Sequence, residues 1–297
     1  MRIAITGASG LIGSALSEQL LADGHEVIPV VRGKPSGSEI GWSVDEQRID
    51  DGAFDGLDGV VHLAGAGIGD KRWTDEYKQE IRSSRTVGTA LIANAVNAAK
   101  NPPSVLLSGS AIGIYGSSQT ATFSESDPAG TGFLADVCVD WETAAAPARA
   151  GGTRVAFLRT GIVLSTAGGT LKKLMPVYKF GLGGKLGSGE QWMSWIHIDD
   201  EVGSIVHLLT GSLAGPVNLT APNPVTNAEL NTTMGDVLGR PTFFPIPKFG
   251  PKLLLGGELV DNLLFSGQKV VPTALQADGY QFAHPTLDGA LRNLLRK

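Results

Sequence analysis

Three glycines near the start of the chain have the spacing of a phosphate-binding turn. Gly7, Gly10 and Gly13 follow the short apolar run of residues 2–5 and open a segment with helical spacing of apolar residues. In a strand–turn–helix context, the first glycine allows the tight turn, the second leaves room for a pyrophosphate and the third lets helix and strand pack closely. The phosphates would lie on free N–H groups at the start of the helix. The expected contacts of a dinucleotide are Gly7, Ser9, Gly10, Leu11, Ile12 and Gly13; a glycine turn without a ligand is the alternative.

The end of the second apolar run indicates which dinucleotide would bind. The run extends from Glu26 to Val31 and is followed by Arg32, Gly33 and Lys34. Enzymes that use NAD usually place an acidic residue here, whose carboxylate binds the ribose diol and repels a 2′-phosphate. This chain has two cations instead, and arginine can hold a phosphate with two parallel hydrogen bonds. We therefore expect NADP(H), held by Arg32 and Lys34; a solvated surface arginine is the alternative.

These residues require a parallel sheet to position them. Strand signals near residues 2–5, 26–31, 59–63, 104–108 and 155–158 alternate with helical signals over 75–99 and 133–148. Such alternation predicts an α/β fold, a Rossmann-type doubly wound parallel sheet with helices on both faces. After residue 160 the chain becomes rich in glycine. It then predicts a helix to Leu209 capped by Asp199 or Asp200, and a strand over 242–246. We predict an NADP-binding domain over 1–160, to which 190–220 returns, and a smaller C-terminal α/β substrate lobe over 161–297.

Composition narrows the partners and the compartment. The chain has 297 residues and a formal net charge of −5, without a lysine and arginine cluster that would follow nucleic acid or an anionic membrane. Its single cysteine, Cys138, excludes an intrachain disulfide and indicates a reducing compartment. Apolar runs are too short to span a bilayer, and the N-terminus lacks the pattern of a signal peptide. We expect a cytoplasmic monomer or homodimer that binds a small-molecule substrate and neither nucleic acid nor membrane.

Three motifs together resemble a known family. They are Thr6-Gly-Ala-Ser-Gly-Leu-Ile-Gly13, Asp58-Gly-Val-Val-His-Leu-Ala-Gly65 and Ser108-Gly-Ser-Ala-Ile-Gly-Ile-Tyr-Gly116. The chain resembles an extended-type short-chain dehydrogenase/reductase of the NAD(P)-dependent epimerase/dehydratase superfamily. The tail, with Gly257-Glu258, Ser266 to Pro272 and Ala277 to Phe282, is similar to that of an atypical group of uncertain function. Its members are called epimerase-family proteins, sometimes with a cell-division-inhibitor label. The resemblance adds Asp50, beside the adenine, and Leu63, Ala64, Gly65, Arg85 and Ser108 to the cofactor site.

The catalytic set of that superfamily is incomplete here. Its members use a serine or threonine, a tyrosine and a lysine four residues later, and the tyrosine moves a proton. Ser110 matches the serine and would hydrogen-bond a substrate carbonyl. Counted back from the helix glutamate Glu142, the tyrosine and lysine positions hold Leu134 and Cys138. Arg85 stands at the superfamily's asparagine position, where its permanent charge would clamp a carboxylate or stabilise an oxyanion; a helix-surface ion pair is the alternative.

Other residues have open roles. Tyr115 is a candidate replacement acid, which makes Ser110, Arg85 and Tyr115 the candidate catalytic residues. Cys138 is a buried apolar residue on its helical face, or an acid or nucleophile if its pKa is lowered. The loop 181–189 and the tryptophans after it line the substrate pocket or only dock the lobe. We expect no metal site.

Three functions remain at this point. The leading one is an NADP(H)-dependent oxidoreductase that acts on an unidentified small organic substrate, because hydride transfer needs only cofactor and substrate in contact. A non-catalytic NADP(H)-dependent sensor would also keep the glycines and Arg32 and lose the proton relay. A nucleotide-sugar epimerase is less well supported, since the tyrosine and lysine are absent.

Overall fold

The computed structural model describes residues 1–243 and 245–295, and only the main chain of residues 254 and 255. The strands are β1 (Arg2–Thr6), β2 (Glu26–Arg32), β3 (Ile40–Ser43), β4 (Arg48–Ile49), β5 (Gly59–His62), β6 (Val105–Ala111), β7 (Thr122–Phe123), β8 (Arg154–Thr160), β9 (Ile162–Leu164), β10 (Trp192–Met193), β11 (Trp195–His197), β12 (Gly215–Leu219), β13 (Val225–Thr226) and β14 (Lys269–Val270). The helices are α1 (Leu11–Ala22), α2 (Asp75–Ala98), α3 (Phe133–Ala144), α4 (Ala146–Ala150), α5 (Gly169–Lys179), α6 (Ile198–Thr210), α7 (Asn227–Leu238), α8 (Phe249–Leu255), α9 (Gly257–Leu263), α10 (Thr273–Ala277) and α11 (Leu287–Leu295).

The central sheet confirms the predicted Rossmann-type fold. Its eight strands have the order β12-β8-β6-β5-β1-β2-β3-β4. All neighbouring pairs are parallel except β3 and β4, which form an antiparallel edge that the sequence did not predict. From β1 the chain adds β2 and β3 on one side and then returns to add β5 and β6 on the other, so the strand order reverses between β1 and β5. Open α/β sheets bind ligands at such a point, at the carboxyl ends of their strands.

Successive apolar side chains of the central strands point to opposite faces of the sheet and form two separate apolar cores. Ile3 and Ile5 of β1 and Leu107 of β6 pack with α1 and α6 on one face. Ala4 of β1 and Leu106 of β6 pack with α2 and α4 on the other. Since successive side chains of a strand point to opposite faces, every central strand contributes to both cores. The strand ends are thereby held rigidly between two layers of helix.

Helix boundaries follow the predictions with two differences. The helical signal over 133–148 is divided into α3 and α4 at Ala145, just before Pro147, which cannot donate a main-chain hydrogen bond inside a helix. The predicted aspartate cap of α6 is wrong. The N-cap is His197, whose Nδ1 accepts a hydrogen bond from the main-chain N of Asp199 at 3.0 Å.

The second half of the chain contributes to the central sheet and to a further core. β12 pairs with β8 at the edge of the central sheet, while α5, α7 and α11 surround a core that contains Trp195. The predicted strand over 242–246 includes Phe244, which lies outside the described residues; of its other members, Ile246 makes one isolated bridge, to Leu186. No described helix is long and apolar enough to cross a membrane.

Candidate functional site

The glycine turn between β1 and α1 has the geometry of a phosphate cradle. Gly7 has a φ of +68°, which favours glycine, and its carbonyl accepts the N–H of Gly10 at 2.9 Å. A Cβ on Gly13 would lie 2.1 Å from the Gly7 carbonyl oxygen, so any side chain there would push the turn apart. Gly10 is the N-cap of α1 and no side chain caps this helix in the described structure. The first N–H groups of α1, at Leu11 and Ile12, are therefore available to an anion; Ser9 lies exposed in the same turn.

Thr6 holds a second piece of main chain beside this turn. Its Oγ1 accepts hydrogen bonds from the N–H groups of Leu63 at 3.0 Å and Ala64 at 3.1 Å. A Cβ on Gly7 would lie 3.1 Å from the Ala64 nitrogen, which shows how closely the two segments approach. The end of β5 and the start of α1 thus form one wall, and Gly65 continues it as an exposed residue.

Two cations stand at the carboxyl end of β2. Arg32 and Lys34 are exposed, and within the described part of the chain neither forms an ion pair. Asp50 is close to the same turn, but its Oδ2 accepts the N–H of Gly41 at 2.6 Å and ties β3 to the segment after β4. The structure therefore leaves both cations available to a ligand, whereas Asp50 already has a structural bond.

The predicted catalytic residues Ser110, Arg85 and Tyr115 lie on β6, on α2 and in the 3-10 helix Ile112–Tyr115 that follows β6. Ser108 and Ser110 are buried on β6, on the face that α3 covers, and Ser110 Oγ lies 2.8 Å from Glu142 Oε1. Arg85 is buried on α2. Its Nη1 donates to the carbonyls of Ala66 at 3.0 Å and Ile81 at 3.1 Å, and its guanidinium lies 4.9 Å from the centre of the Trp141 ring. Burial lowers the pKa of Arg85. No described carboxylate pairs with Arg85, whereas the alternative of an ion pair on the helix surface requires one.

A buried polar network was not predicted from the sequence. Arg159 of β8 bonds Glu142 through Nε and Nη2, at 2.8 Å and 3.0 Å, and Tyr115 through Nη1 at 2.9 Å. The Tyr115 hydroxyl also lies 2.7 Å from Asn218 Oδ1. Burial raises the pKa of Tyr115. Both the partners and the pKa oppose a role for Tyr115 as a proton donor to substrate. Arg159, a charged residue at the end of the apolar run 155–158, is a signal that could have indicated the network.

The position of the missing lysine is filled by an unreactive thiol. Cys138 is 5% exposed, and burial, with a smaller effect of Glu142, raises its pKa to about 12. The charges of Arg85 and Arg159 lower the pKa of the same thiol, but their effect is smaller than that of burial. Leu134 is half-buried one turn earlier on α3. Neither residue provides a proton at neutral pH.

The remaining candidates have structural partners. The indole N–H groups of Trp192 and Trp195 donate to the carbonyls of Gln119 and Asn223 at 2.9 Å and 3.1 Å, as the docking alternative requires. His197, Asp199 and His284 place one ligand atom each within 4.8 Å of one another. His197 Nδ1 already accepts the N–H of Asp199, so the group acts as the cap of α6.

Comparison with known proteins identifies the family. The model of the NAD dependent epimerase/dehydratase family matches residues 3–219, and a domain of unknown function, DUF1731, matches residues 246–294. This chain belongs to the NAD-dependent epimerase/dehydratase family. It is 44% identical to the epimerase family protein Mb2239 of Mycobacterium bovis, over 97% of this chain and 96% of that one. It is 37% identical to the human epimerase family protein SDR39U1, over 99% of this chain and all of the human one.

Solved structures agree with this assignment. A crystal structure of human SDR39U1 with NADPH superposes with a TM-score of 0.90 at 34% identity, over the whole of both chains. A protein described as a nucleoside-diphosphate sugar epimerase from Corynebacterium glutamicum superposes with a TM-score of 0.83 at 35% identity. That match covers 99% of this chain and 58% of the other. The resemblance inferred from the motifs, including the tail, is therefore confirmed.

Proposed function

We propose that this protein binds NADP(H) on the glycine turn and transfers hydride between the nicotinamide and a small organic substrate, whose oxygen exchanges the accompanying proton with water. The proposal rests on two observations made on the described residues: no side chain caps the N-terminus of α1, and the two exposed cations at the end of β2 form no ion pair. The first suits a pyrophosphate and the second a 2′-phosphate. The human relative SDR39U1, crystallised with NADPH, supports the same cofactor. Bound NADPH would supply the hydride; the chain supplies the surrounding groups.

The positions of the residues suggest which of them contact the cofactor and which contact the substrate. Gly7 to Gly13 would hold the pyrophosphate, and Arg32 with Lys34 the 2′-phosphate. The main chain of residues 63–65 and Ser108, in the middle of β6, would line the path toward the nicotinamide. Arg85 and Ser110 would contact the substrate. Residues 161–297 would form the smaller substrate lobe, with β12 and α6 returned to the NADP-binding domain.

Calorimetry tests the cofactor assignment. NADPH should bind more tightly than NADH, and Arg32→Ala should reduce the preference by at least about tenfold, because one charged hydrogen-bonding partner contributes about 1.5–3 kcal/mol. Lys100→Ala, which removes a cation at the opposite end of the strands, is the matched control and should leave both affinities unchanged. Equal affinities for the two cofactors in the wild-type protein would refute the proposal.

A non-catalytic NADP(H) sensor is the second candidate. It is favoured by one observation: the tyrosine and lysine positions hold Leu134 and a buried Cys138 thiol, and Tyr115 has its hydroxyl engaged in a buried network. Screening of carbonyl and alcohol compounds with NADPH and NADP⁺ separates the two functions. Turnover of any of them supports the oxidoreductase. Tight NADPH binding without turnover, together with a protein partner that binds only the cofactor-loaded form, supports the sensor. Turnover of a nucleotide sugar would instead support an epimerase.

A further inference from the structure

The polar network beside the candidate substrate site is built on neighbouring strands. Ser110 of β6 and Asn218 of β12 both pair in register with Arg159 of β8. Register neighbours in a parallel sheet face the same side, here toward α3, which contributes Glu142. Tyr115 follows β6 in a short 3-10 helix and closes the group. Because the members are held by three strands and a helix, their hydrogen bonds have one fixed arrangement.

The direction of each bond on the Tyr115 side can be deduced. A guanidinium only donates, so the Tyr115 oxygen accepts from Arg159 Nη1 and its single proton goes to Asn218 Oδ1, at 2.7 Å. The Asn218 amide is oriented independently, since its Nδ2 donates to the carbonyl of Val271 at 3.0 Å. A carbonyl accepts only, which fixes the amide oxygen toward Tyr115. The tyrosine therefore has no proton left for a ligand.

The Ser110 side follows by the same reasoning. Glu142 accepts two hydrogen bonds from Arg159, at 2.8 Å and 3.0 Å, as an ionised carboxylate does in a bidentate pair. An ionised carboxylate has no proton to give, so the bond of 2.8 Å between Ser110 Oγ and Glu142 Oε1 is donated by the serine. The only hydroxyl proton of Ser110 is thereby used inside the protein. What Ser110 offers to a ligand is its lone pairs.

Arg85 offers hydrogen-bond donors, whereas Ser110 offers only an acceptor. Among the described residues its hydrogen bonds all start from Nη1, which leaves the N–H groups of Nη2 and Nε as donors. The Arg85 guanidinium lies 4.9 Å from the centre of the Trp141 ring, and a Cβ on Gly109, the residue before Ser110, would lie 2.7 Å from Cζ2 of that ring. Donor and acceptor therefore lie beside the same indole. Such a pair discriminates strongly, because a ligand with the wrong polarity buries unpaired groups.

We propose that the site selects a substrate that carries a hydroxyl or N–H donor for Ser110 and, next to it, a carbonyl or carboxylate oxygen for Arg85. A hydroxy acid or hydroxy ketone fits this description; an isolated aldehyde or ketone does not. The sequence-based expectation was the reverse, with Ser110 donating to a substrate carbonyl. This inference rests on the proposed function, because it assumes that the region is the substrate site.

The test uses three acids of one carbon skeleton on the NADPH-loaded full chain. Lactate has the hydroxyl donor, 2-methoxypropionate has only an ether acceptor, and propionate has neither. Dissociation constants from ligand-observed NMR titrations should show lactate binding about tenfold more tightly than the other two. Propionate separates a missing donor from the extra size of the methoxy group. Ser110→Ala should reduce the preference to within about twofold, and Ser110→Thr should keep it, because threonine retains the oxygen.

Three outcomes overturn the inference. Equal binding of the three acids by the NADPH-loaded protein would do so, and so would failure of lactate to bind at all. Neutron diffraction gives a readout that does not depend on a ligand: the deuteron of Ser110 should lie on the line to Glu142, and a deuteron directed away from Glu142 would contradict the argument. If NADPH itself does not bind, the proposed function fails first, and the inference fails with it.

Discussion

Glu201 should make the folded protein less stable as the pH rises from 4.5 to 8. Its carboxyl group is fully buried on α6; Oε1 accepts the Thr160 hydroxyl at 2.9 Å, and Oε2 has no partner in the described structure. Burial raises its pKa from 4.5 to about 8, against the smaller effect of the Thr160 hydrogen bond. The folded state therefore binds more protons than the unfolded state within that interval, and stability is greatest below it.

The magnitude follows from proton linkage. Each pH unit between 4.5 and 8 removes about 1.4 kcal/mol of unfolding free energy through this group, which amounts to about 3 kcal/mol by pH 7. His62 opposes this change over part of the range. Burial lowers its pKa from 6.5 to about 4, so its contribution to the free energy of unfolding increases as the pH rises between those two values. The two groups therefore nearly cancel up to pH 6.5, and the loss from Glu201 is visible above it.

Urea denaturation followed by circular dichroism at several pH values measures the effect. Glu201→Gln keeps the shape and the bond from Thr160 but cannot ionise, so its stability relative to wild type should rise by about 1.4 kcal/mol per pH unit from 4.5 to 8. Glu18→Gln, on the exposed part of α1, is the control for the same substitution outside the core. A difference between Glu201→Gln and wild type that stays constant within about 0.5 kcal/mol would refute the reasoning.

Three further predictions concern the candidate site. Gly10→Ala should fold, because its Cβ would meet only the Gly7 carbonyl oxygen, at 3.1 Å, but it should bind NADPH more weakly. Gly13→Ala should have a lower thermal stability, because its Cβ would lie 2.1 Å from the same oxygen. Normal NADPH binding by a folded Gly10→Ala variant would contradict the phosphate assignment. Cys138 should react slowly with thiol reagents at pH 8, since burial raises its pKa to about 12. Rapid modification that NADPH blocks would instead make it a site residue.

The sequence predicted those features that depend on short-range patterns. The glycine turn, the parallel strands and the long helix over 75–98 all follow from spacing within a few residues. The β3–β4 edge was missed because its strands have four and two residues and carry no clear alternation. The cap of α6 was assigned to an aspartate because aspartate is the commoner cap, whereas the fold brings the His197 ring over the Asp199 N–H.

The polar network shows a different limit of sequence reasoning. Glu142 and Arg159 are 17 residues apart and Tyr115 and Asn218 are 103 apart, so only the register of β6, β8 and β12 brings them together. Ser110 was identified correctly as a residue at the end of β6, but its polarity depends on that network. A motif therefore indicated where a hydroxyl lies, while the direction of its proton needed the tertiary contacts.

The changes at positions 85 and 138 are best understood as one relocation of charge. The superfamily pattern has an asparagine at the position of Arg85 on α2 and a lysine at the position of Cys138 on α3. Both side chains are buried, and the charge of Arg85 lowers the pKa of the Cys138 thiol against the larger effect of burial. A lysine at 138 would place a second cation in the same low-dielectric region, where two like charges repel strongly. Arg85 thus adds a guanidinium to the one that Arg159 already places on Glu142, and a guanidinium holds an oxygen firmly and releases no proton at neutral pH.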